Sequence, residues 1–276
     1  EMVSEIVEIV TDVDEDIQIG GIAFVDPTMS TGMGAAGSVM AGAFCEYAVV
    51  KKAKVNENIY PLDKDCDLDT MAIIEPFCVG TKAATMIEPR KDEKVVILGA
   101  GTIGLCAAAS LIGRGLTQVV VVDRDENRLN SARLIGTMVV NTTYEDLKEG
   151  LIRLLGTYPG YFQVPDVDMY IEASGSQALF KTAFDYACEK TRYCVVSVLP
   201  EITLNAIQFI STQPMIYGSR GDEHENIIEV IDLLKQGKTK MNEIITSQYT
   251  IDKFPQAIAT AASGKDIKVI INFENK

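Results

Sequence analysis

A chain of 276 residues has room for about two domains, and its 47% apolar and 23% charged residues are typical of a globular protein with a substantial core. The formal net charge of −14 argues against a nucleic acid or an anionic membrane as partner, because both would repel it. No apolar run is long enough to span a membrane, and six scattered cysteines without a CxxC pair favour reduced thiols. We therefore expect a cytoplasmic protein.

In chain order the residue pattern changes twice. Residues 1–62 contain short apolar runs between turn residues, which predicts strands of a β-rich unit, and the Gly- and Met-rich stretch 28–42 predicts a mobile loop. A helix interrupted at Glu75 follows, because a proline comes directly after it. Strand and helix patterns then alternate, which predicts an α/β fold with a parallel, doubly wound sheet. From Asp222 on, the pattern becomes helix, strand, helix, strand.

The most informative stretch runs from Lys94 to Asp123. VVIL predicts a strand, GAGTIG a tight turn into an apolar helix, and VVVVD a second strand. In such a βαβ unit the first glycine permits the turn, the second lets the backbone approach a pyrophosphate, and the third lets the helix pack closely on its strand. The helix N-terminus offers N–H groups and the positive end of a dipole to the phosphates.

A carboxylate follows at the distance that a dinucleotide site requires. Asp123 comes nineteen residues after the third glycine, where it would accept the hydroxyls of the adenosine ribose. The alternative is an ordinary βαβ turn in which Asp123 only caps the next helix. The pattern favours a dinucleotide site, and its residues in this stretch are Gly99, Gly101, Thr102, Ile103, Gly104 and Asp123.

Seven stretches, in the same order along the chain, resemble the zinc-type medium-chain dehydrogenases and reductases, the family of alcohol, sorbitol and threonine dehydrogenases. They are GAFCEY, AIIEPFCVGTKA, VVILGAGTIGL, VVVVDRDENRLNSARLIG, YIEASGS, YGSRG and DIKVIINF. The resemblance implies a Rossmann dinucleotide-binding domain over residues 89–221. This domain would be inserted in a GroES-like catalytic domain formed by residues 1–88 and 222–276, incomplete at its N-terminus.

The resemblance also implies a function and an assembly. We expect an NAD(H)-dependent oxidoreductase that transfers hydride between a secondary alcohol or polyol and the nicotinamide, with zinc as the second cofactor. The partners would be that small-molecule substrate and further copies of the chain in a homodimer or homotetramer.

Further cofactor-binding residues are implied position by position. Arg128 would face the adenosine, Ser174 would line the adenine side, and Val198 would lie in the segment that carries the nicotinamide carboxamide. Lys268 stands where the family usually has an arginine that reaches the pyrophosphate; lysine keeps the charge but loses the planar fork. For Arg128 and Lys268 the alternative is a solvated basic side chain.

The zinc site is where the chain departs from the family. Glu75, the implied catalytic residue, matches a ligand or near-ligand of the catalytic zinc, and Glu1 matches the glutamate of a Gly-His-Glu motif. The histidine of that motif and the family's zinc-binding cysteine would lie before Glu1. A catalytic zinc has three protein ligands, and Glu1 and Glu75 supply two carboxylates. His224, beside the GSRG turn, is not expected to substitute.

Two alternatives therefore remain open. The chain could be a catalytically inactive NAD(H)-binding remnant that lacks the zinc-binding cysteine and histidine. It could also be a zinc-independent quinone or enone reductase, although Asp123 opposes this reading because such reductases mostly take NADPH. A smaller departure from the family is Ser197, where a glycine is usual.

Overall fold

The computed structural model describes residues 2–10, 13–27, 43–160, 163–237 and 239–273. The strands in this part of the chain are β1 Val3–Glu5, β2 Ile22–Val25, β3 Ile59–Leu62, β4 Val95–Leu98, β5 Val119–Asp123, β6 Met138–Asn141, β7 Met169–Glu172, β8 Arg192–Val195, β9 Met215–Gly218, β10 Ile245–Thr250 and β11 Lys268–Asn272. The α-helices are α1 Leu68–Met71, α2 Ile74–Met86, α3 Thr102–Gly113, α4 Glu126–Ile135, α5 Leu147–Leu155, α6 Gln177–Asp185, α7 Ala206–Thr212, α8 His224–Lys235 and α9 Phe254–Ala262.

Strands β4 to β9 form one parallel sheet in the order β6-β5-β4-β7-β8-β9. The chain therefore starts in the middle of the sheet, builds one half outward, and returns to build the other half. This order is that of a Rossmann fold, and the predicted α/β fold with a doubly wound sheet is confirmed. Ligands of such sheets bind where the strand order reverses, here between β4 and β7.

Helices cover both faces of this sheet. Val95 and Ile97 of β4 lie in one core cluster with residues of α2, α3 and α8, whereas Val96 and Leu98 lie in a second cluster with residues of α5 and α6. Successive side chains of a strand point to opposite faces. A strand that is covered on both sides is therefore apolar at every position, which explains the uninterrupted VVIL and VVVV runs.

Two smaller sheets lie outside the Rossmann sheet. Strands β1, β2 and β3 form an antiparallel sheet, and β10 pairs with β11 in parallel. The division into a domain over 89–221 and a GroES-like domain over 1–88 and 222–276 stays a prediction. Among the described residues, no helix is both long and apolar enough to cross a membrane.

Several predicted elements differ in detail. The strand predicted near the N-terminus extends only over β1, and residues 43–54 form no regular strand. The helix break lies at Ala72–Ile73, before Glu75, and the proline after Glu75 lies in the first turn of α2, where its missing N–H costs nothing. Helix α7 was not predicted. The loop predicted at 28–42 lies outside the described residues.

Gly80 sets the distance between helices α2 and α3. A Cβ at this position would lie 2.6 Å from the backbone nitrogen of Ala107 and 2.7 Å from the Cβ of Cys106. Both atoms belong to α3, whose interior cannot move aside in a packed core. Only a hydrogen atom fits where the two helices cross.

We expect Gly80→Ala to lower the free energy of unfolding by about 1–3 kcal/mol, because the new methyl group forces the two helices apart. The matched control is Gly218→Ala, since a Cβ there meets no atom within 4 Å; it should change stability by less than about 0.5 kcal/mol. Urea unfolding followed by circular dichroism measures both. Equal stability of Gly80→Ala and the original chain would contradict this account of the helix crossing.

Candidate functional site

The three glycines of the GAGTIG turn meet different constraints. Gly99 has φ +103°, and its Cβ would lie 2.8 Å from the Cα of Ser174; at Gly104 a Cβ would lie 2.0 Å from the carbonyl oxygen of Gly99. Packing within the protein therefore demands both. At Gly101 the nearest atom to a Cβ is Nη1 of Arg128, at 3.8 Å. Gly101 is thus the position where the chain leaves open space directly before the N-terminus of α3, which begins at Thr102.

Asp123 lies at the end of β5, beside this turn. Its Oδ2 accepts a hydrogen bond from the backbone N–H of Ala100 at 2.7 Å, and its Oδ1 accepts from the N–H groups of Arg124 at 2.7 Å and Asp125 at 3.0 Å. The cap of helix α4 is a different residue, Asp125, which accepts from the N–H of Asn127 at 2.9 Å. The alternative in which Asp123 only caps that helix is therefore wrong.

Arg128 and Thr102 join the glycine turn to the chain that precedes β11. Nη2 of Arg128 donates to the carbonyl oxygen of Gly264 at 2.6 Å, and Oγ1 of Thr102 donates to that of Ile267 at 2.6 Å. Arg128 is half-buried and held by the protein, so it is not a freely solvated side chain. Lys268 follows Ile267 directly as the first residue of β11, which brings it to this junction.

The remaining predicted residues lie at the ends of the next strands. Ser174 follows β7, and its hydroxyl donates to Oε1 of Glu172 at 2.5 Å. Val198 follows β8 and exposes 95% of its surface. Since β4, β5, β7 and β8 are parallel, their carboxyl ends meet at one edge of the sheet, and the predicted residues gather there. Their contacts with a cofactor stay predictions.

A second cleft has a volume of about 670 Å³. Among the residues that line it are Asp26, Tyr60, Asp222 and His224. Oη of Tyr60 and Nδ1 of His224 are 2.9 Å apart. Burial, together with the nearby Asp26, raises the pKa of Asp222 above its usual value. Burial also raises the pKa of Tyr60, and the charges of Asp26 and Asp222 add to this effect. Of these residues the sequence singles out only His224 as a candidate, because nothing in a single strand or loop signals a neighbour far along the chain.

Glu75 lies three residues before the buried Cys78 in helix α2. Burial raises the pKa of the Cys78 thiol strongly, and the charges of Asp222 and Glu75 add to this effect. Glu75 itself is half-buried in the first turn of α2. Its role as a catalytic residue and zinc ligand stays a prediction, and Glu1 lies outside the described residues.

Within the part of the chain that the structure describes, no group of three His, Cys, Asp or Glu residues could hold a metal ion. His224 contacts Tyr60 and does not complete a metal site with Glu75 in this part. A zinc ion needs at least three good donors to compete with water. The described residues by themselves therefore do not fit a zinc site.

Known proteins resemble this chain in sequence. Residues 102–236 match the family model described as zinc-binding dehydrogenase. The chain is 27% identical to a sorbitol dehydrogenase of Halalkalibacterium halodurans over 239 residues, which cover 85% of this chain and 66% of that protein. It is 31% identical to an L-threonine 3-dehydrogenase of Pseudoalteromonas atlantica over 235 residues, 84% of this chain and 66% of the relative. The chain thus spans just under two thirds of the length of these relatives.

Solved structures share the fold. 2R,3R-butanediol dehydrogenase from Bacillus subtilis superposes with a TM-score of 0.83 at 20% identity, over 99% of this chain and 79% of that one. An alcohol dehydrogenase from Escherichia coli CFT073, solved with NADH, has a TM-score of 0.73 at 20% identity, over 95% of this chain and 80% of that one. At such identities the likeness concerns the fold alone. The sequence matches show that the chain belongs to the zinc-type medium-chain dehydrogenases and reductases, the family of alcohol, sorbitol and threonine dehydrogenases.

Proposed function

We propose that the protein is an NAD(H)-dependent oxidoreductase that transfers hydride between a secondary alcohol or polyol and the nicotinamide. One observation carries the cofactor part of this proposal: the Asp123 carboxylate is anchored to the Ala100 N–H beside the open space at Gly101. A fixed carboxylate next to open space at a helix N-terminus is the arrangement that binds the ribose and pyrophosphate of NAD. The similarity to sorbitol and threonine dehydrogenases supports the substrate class.

The residues at the sheet edge would each bind a different part of NAD. Backbone N–H groups at the start of α3, with Gly101 leaving room, would hold the pyrophosphate, and Lys268 would add a positive charge. Asp123 would accept the ribose hydroxyls, Arg128 would cover the adenosine, and the exposed Val198 would contact the nicotinamide side. When bound, NAD supplies the hydride acceptor, and the chain supplies its position and orientation.

The substrate-side unit is proposed to be GroES-like, with Glu75 near the reacting alcohol. Zinc in the whole protein would need donors beyond those described, because Glu75 is a single carboxylate and Glu1 would add only a second. Cys66, Cys78, Cys188 and Cys194 are not joined in disulfides, which supports the proposed cytoplasmic setting.

A second candidate function is NAD(H) binding without catalysis, as in a sensor. The specific observation in its favour is that the described residues contain no group of three metal donors. A zinc-independent quinone or enone reductase is disfavoured, because Asp123 would repel the 2′-phosphate of the NADPH that such enzymes mostly use.

Binding and turnover assays on the 276-residue chain separate these candidates. We expect NADH to bind, because the glycine turn and Asp123 are both in place. Zinc-dependent formation of NADH from NAD⁺ and a panel of polyols, secondary alcohols and threonine would establish the dehydrogenase. NADH binding without turnover at any added zinc concentration would favour the second candidate, and failure to bind NADH would contradict both.

Cofactor choice gives a sharper prediction. The chain should bind NADH more tightly than NADPH, because Asp123 accepts ribose hydroxyls and repels a 2′-phosphate; the exposed Arg124 beside it moderates the difference. Asp123→Ala should weaken NADH binding about tenfold, and it should reduce the ratio of NADH to NADPH affinity. Titration calorimetry measures each affinity.

The matched control is Asp125→Ala, two residues further on. Asp125 caps α4, so its removal should cost about 1 kcal/mol of stability and leave the ratio of NADH to NADPH affinity unchanged. Equal or tighter binding of NADPH by the original chain would overturn the assignment of Asp123.

We also propose a homodimer formed through strand β9, with a tetramer as the larger alternative. Within the described residues, β9 is an edge strand that pairs only with β8, and Met215 and Ile216 on it are partly exposed. The neighbouring helix α7 exposes Ile207 and Ile210. An apolar edge of this kind invites pairing with a second copy about a two-fold axis.

Ile216→Lys should convert the dimer into a monomer, because a charge at the edge opposes strand pairing. The control is Ile258→Lys, which changes a comparably exposed isoleucine on α9 and should leave the mass unchanged. Light scattering at micromolar protein gives the mass. A monomer of the original chain at that concentration would refute the assembly.

A further inference from the structure

Glu172 is a fully buried acid at the centre of the candidate cofactor site. It is the last residue of β7, flanked in register by Leu98 of β4 and Val195 of β8, and its exposed fraction is 0%. Burying a carboxylate is costly unless hydrogen bonds replace its water. The hydrogen-bond partners of Glu172 therefore indicate its role.

The two carboxylate oxygens of Glu172 bind two different parts of the chain. Oε1 accepts from the backbone N–H of Ser174 at 2.8 Å, the hydroxyl of Ser174 at 2.5 Å and the N–H of Gly175 at 2.9 Å. Oε2 accepts from the hydroxyl of Ser197. Oε1 thus accepts hydrogen bonds from the turn after β7, and Oε2 accepts one from the turn after β8.

The second turn leads directly to Val198. The backbone N–H groups of Val196 and Ser197 donate to the carbonyl oxygen of Glu172 at 3.0 and 3.2 Å, and the Ser197 hydroxyl adds the bond to Oε2. The residue that follows, Val198, is an apolar side chain left almost entirely in water. Such exposure is unfavourable in the free protein and would be relieved by a ligand that covers it.

We infer that Glu172 is a positioning residue for the cofactor: its carboxylate ties the adenine-side turn, through Ser174, to the nicotinamide-side turn, through Ser197. This inference rests on the proposed NAD(H) binding. The two turns act on different ends of the cofactor, because Oε1 and Oε2 of Glu172 have separate partners. The Ser197 hydroxyl sets the nicotinamide side without touching the adenine side.

A comparison of NADH with ADP-ribose tests this division, because ADP-ribose lacks the nicotinamide. Ser197→Ala removes the donor to Oε2; we expect it to weaken NADH binding about tenfold and to change ADP-ribose binding by less than about twofold. Ser197→Thr keeps a hydroxyl and should restore most of the NADH affinity. Ser174→Ala is the matched control on the other oxygen and should weaken both ligands by the same factor.

Titration calorimetry of the original chain and its three variants measures the affinities for NADH and ADP-ribose. ADP-ribose binding by Ser197→Ala also proves that this variant is folded. A general loss of stability would lower both affinities together and leave their ratio unchanged, so a changed ratio supports positioning. An unchanged ratio in Ser197→Ala, whether both affinities fall or neither does, would overturn the inference. Failure of the original chain to bind either ligand would instead refute the proposed function.

Discussion

The contact between Gly104 and the carbonyl oxygen of Gly99 is the constraint on which the candidate site depends. With only 2.0 Å between that oxygen and a hypothetical Cβ, the first turn of α3 lies against the end of β4 with no side chain between them. A Cβ at Gly99 would in turn lie 2.8 Å from the Cα of Ser174, in the turn after β7. Helix α3 therefore begins directly above the reversal of strand order, and its N-terminal N–H groups face the sheet edge where the other predicted residues gather.

Around this contact, two carboxylates hold the backbone in place. Asp123 accepts from the N–H of Ala100 and Glu172 accepts from the N–H groups of Ser174 and Gly175. Both acids stand at the carboxyl ends of strands, where turns leave N–H groups without sheet partners. The same atoms that satisfy those turns thus also shape the site, which explains why acidic residues occupy so apolar a sheet.

Two side chains of the Rossmann unit bond to the segment that precedes β11. Thr102 donates to Ile267, and Arg128 donates to Gly264. Thr102 belongs to the glycine turn, and Arg128 belongs to the neighbouring helix α4. The proposed binding of a dinucleotide at the turn would therefore be linked physically to the position of the segment before β11.

The sequence by itself determined the Rossmann unit, because its evidence is local. A strand, a glycine turn, a helix and a second strand follow each other within thirty residues, and each glycine has a role that the backbone dictates at that position. The buried strands were equally readable, since coverage on both faces leaves no polar position. The family resemblance extended this reading to Arg128, Ser174, Val198 and Lys268.

Only the tertiary structure decided what depends on contacts between distant parts of the chain. The Tyr60–His224 pair joins residues 164 positions apart, and Glu172 meets Ser197 across neighbouring strands; neither has a local signal. The role of Asp125 as the α4 cap, rather than Asp123, was also settled by hydrogen-bond geometry, because the two acids are equivalent in a sequence pattern. Neighbouring residues determine the local backbone structure, whereas the fold determines which partner a buried polar group meets.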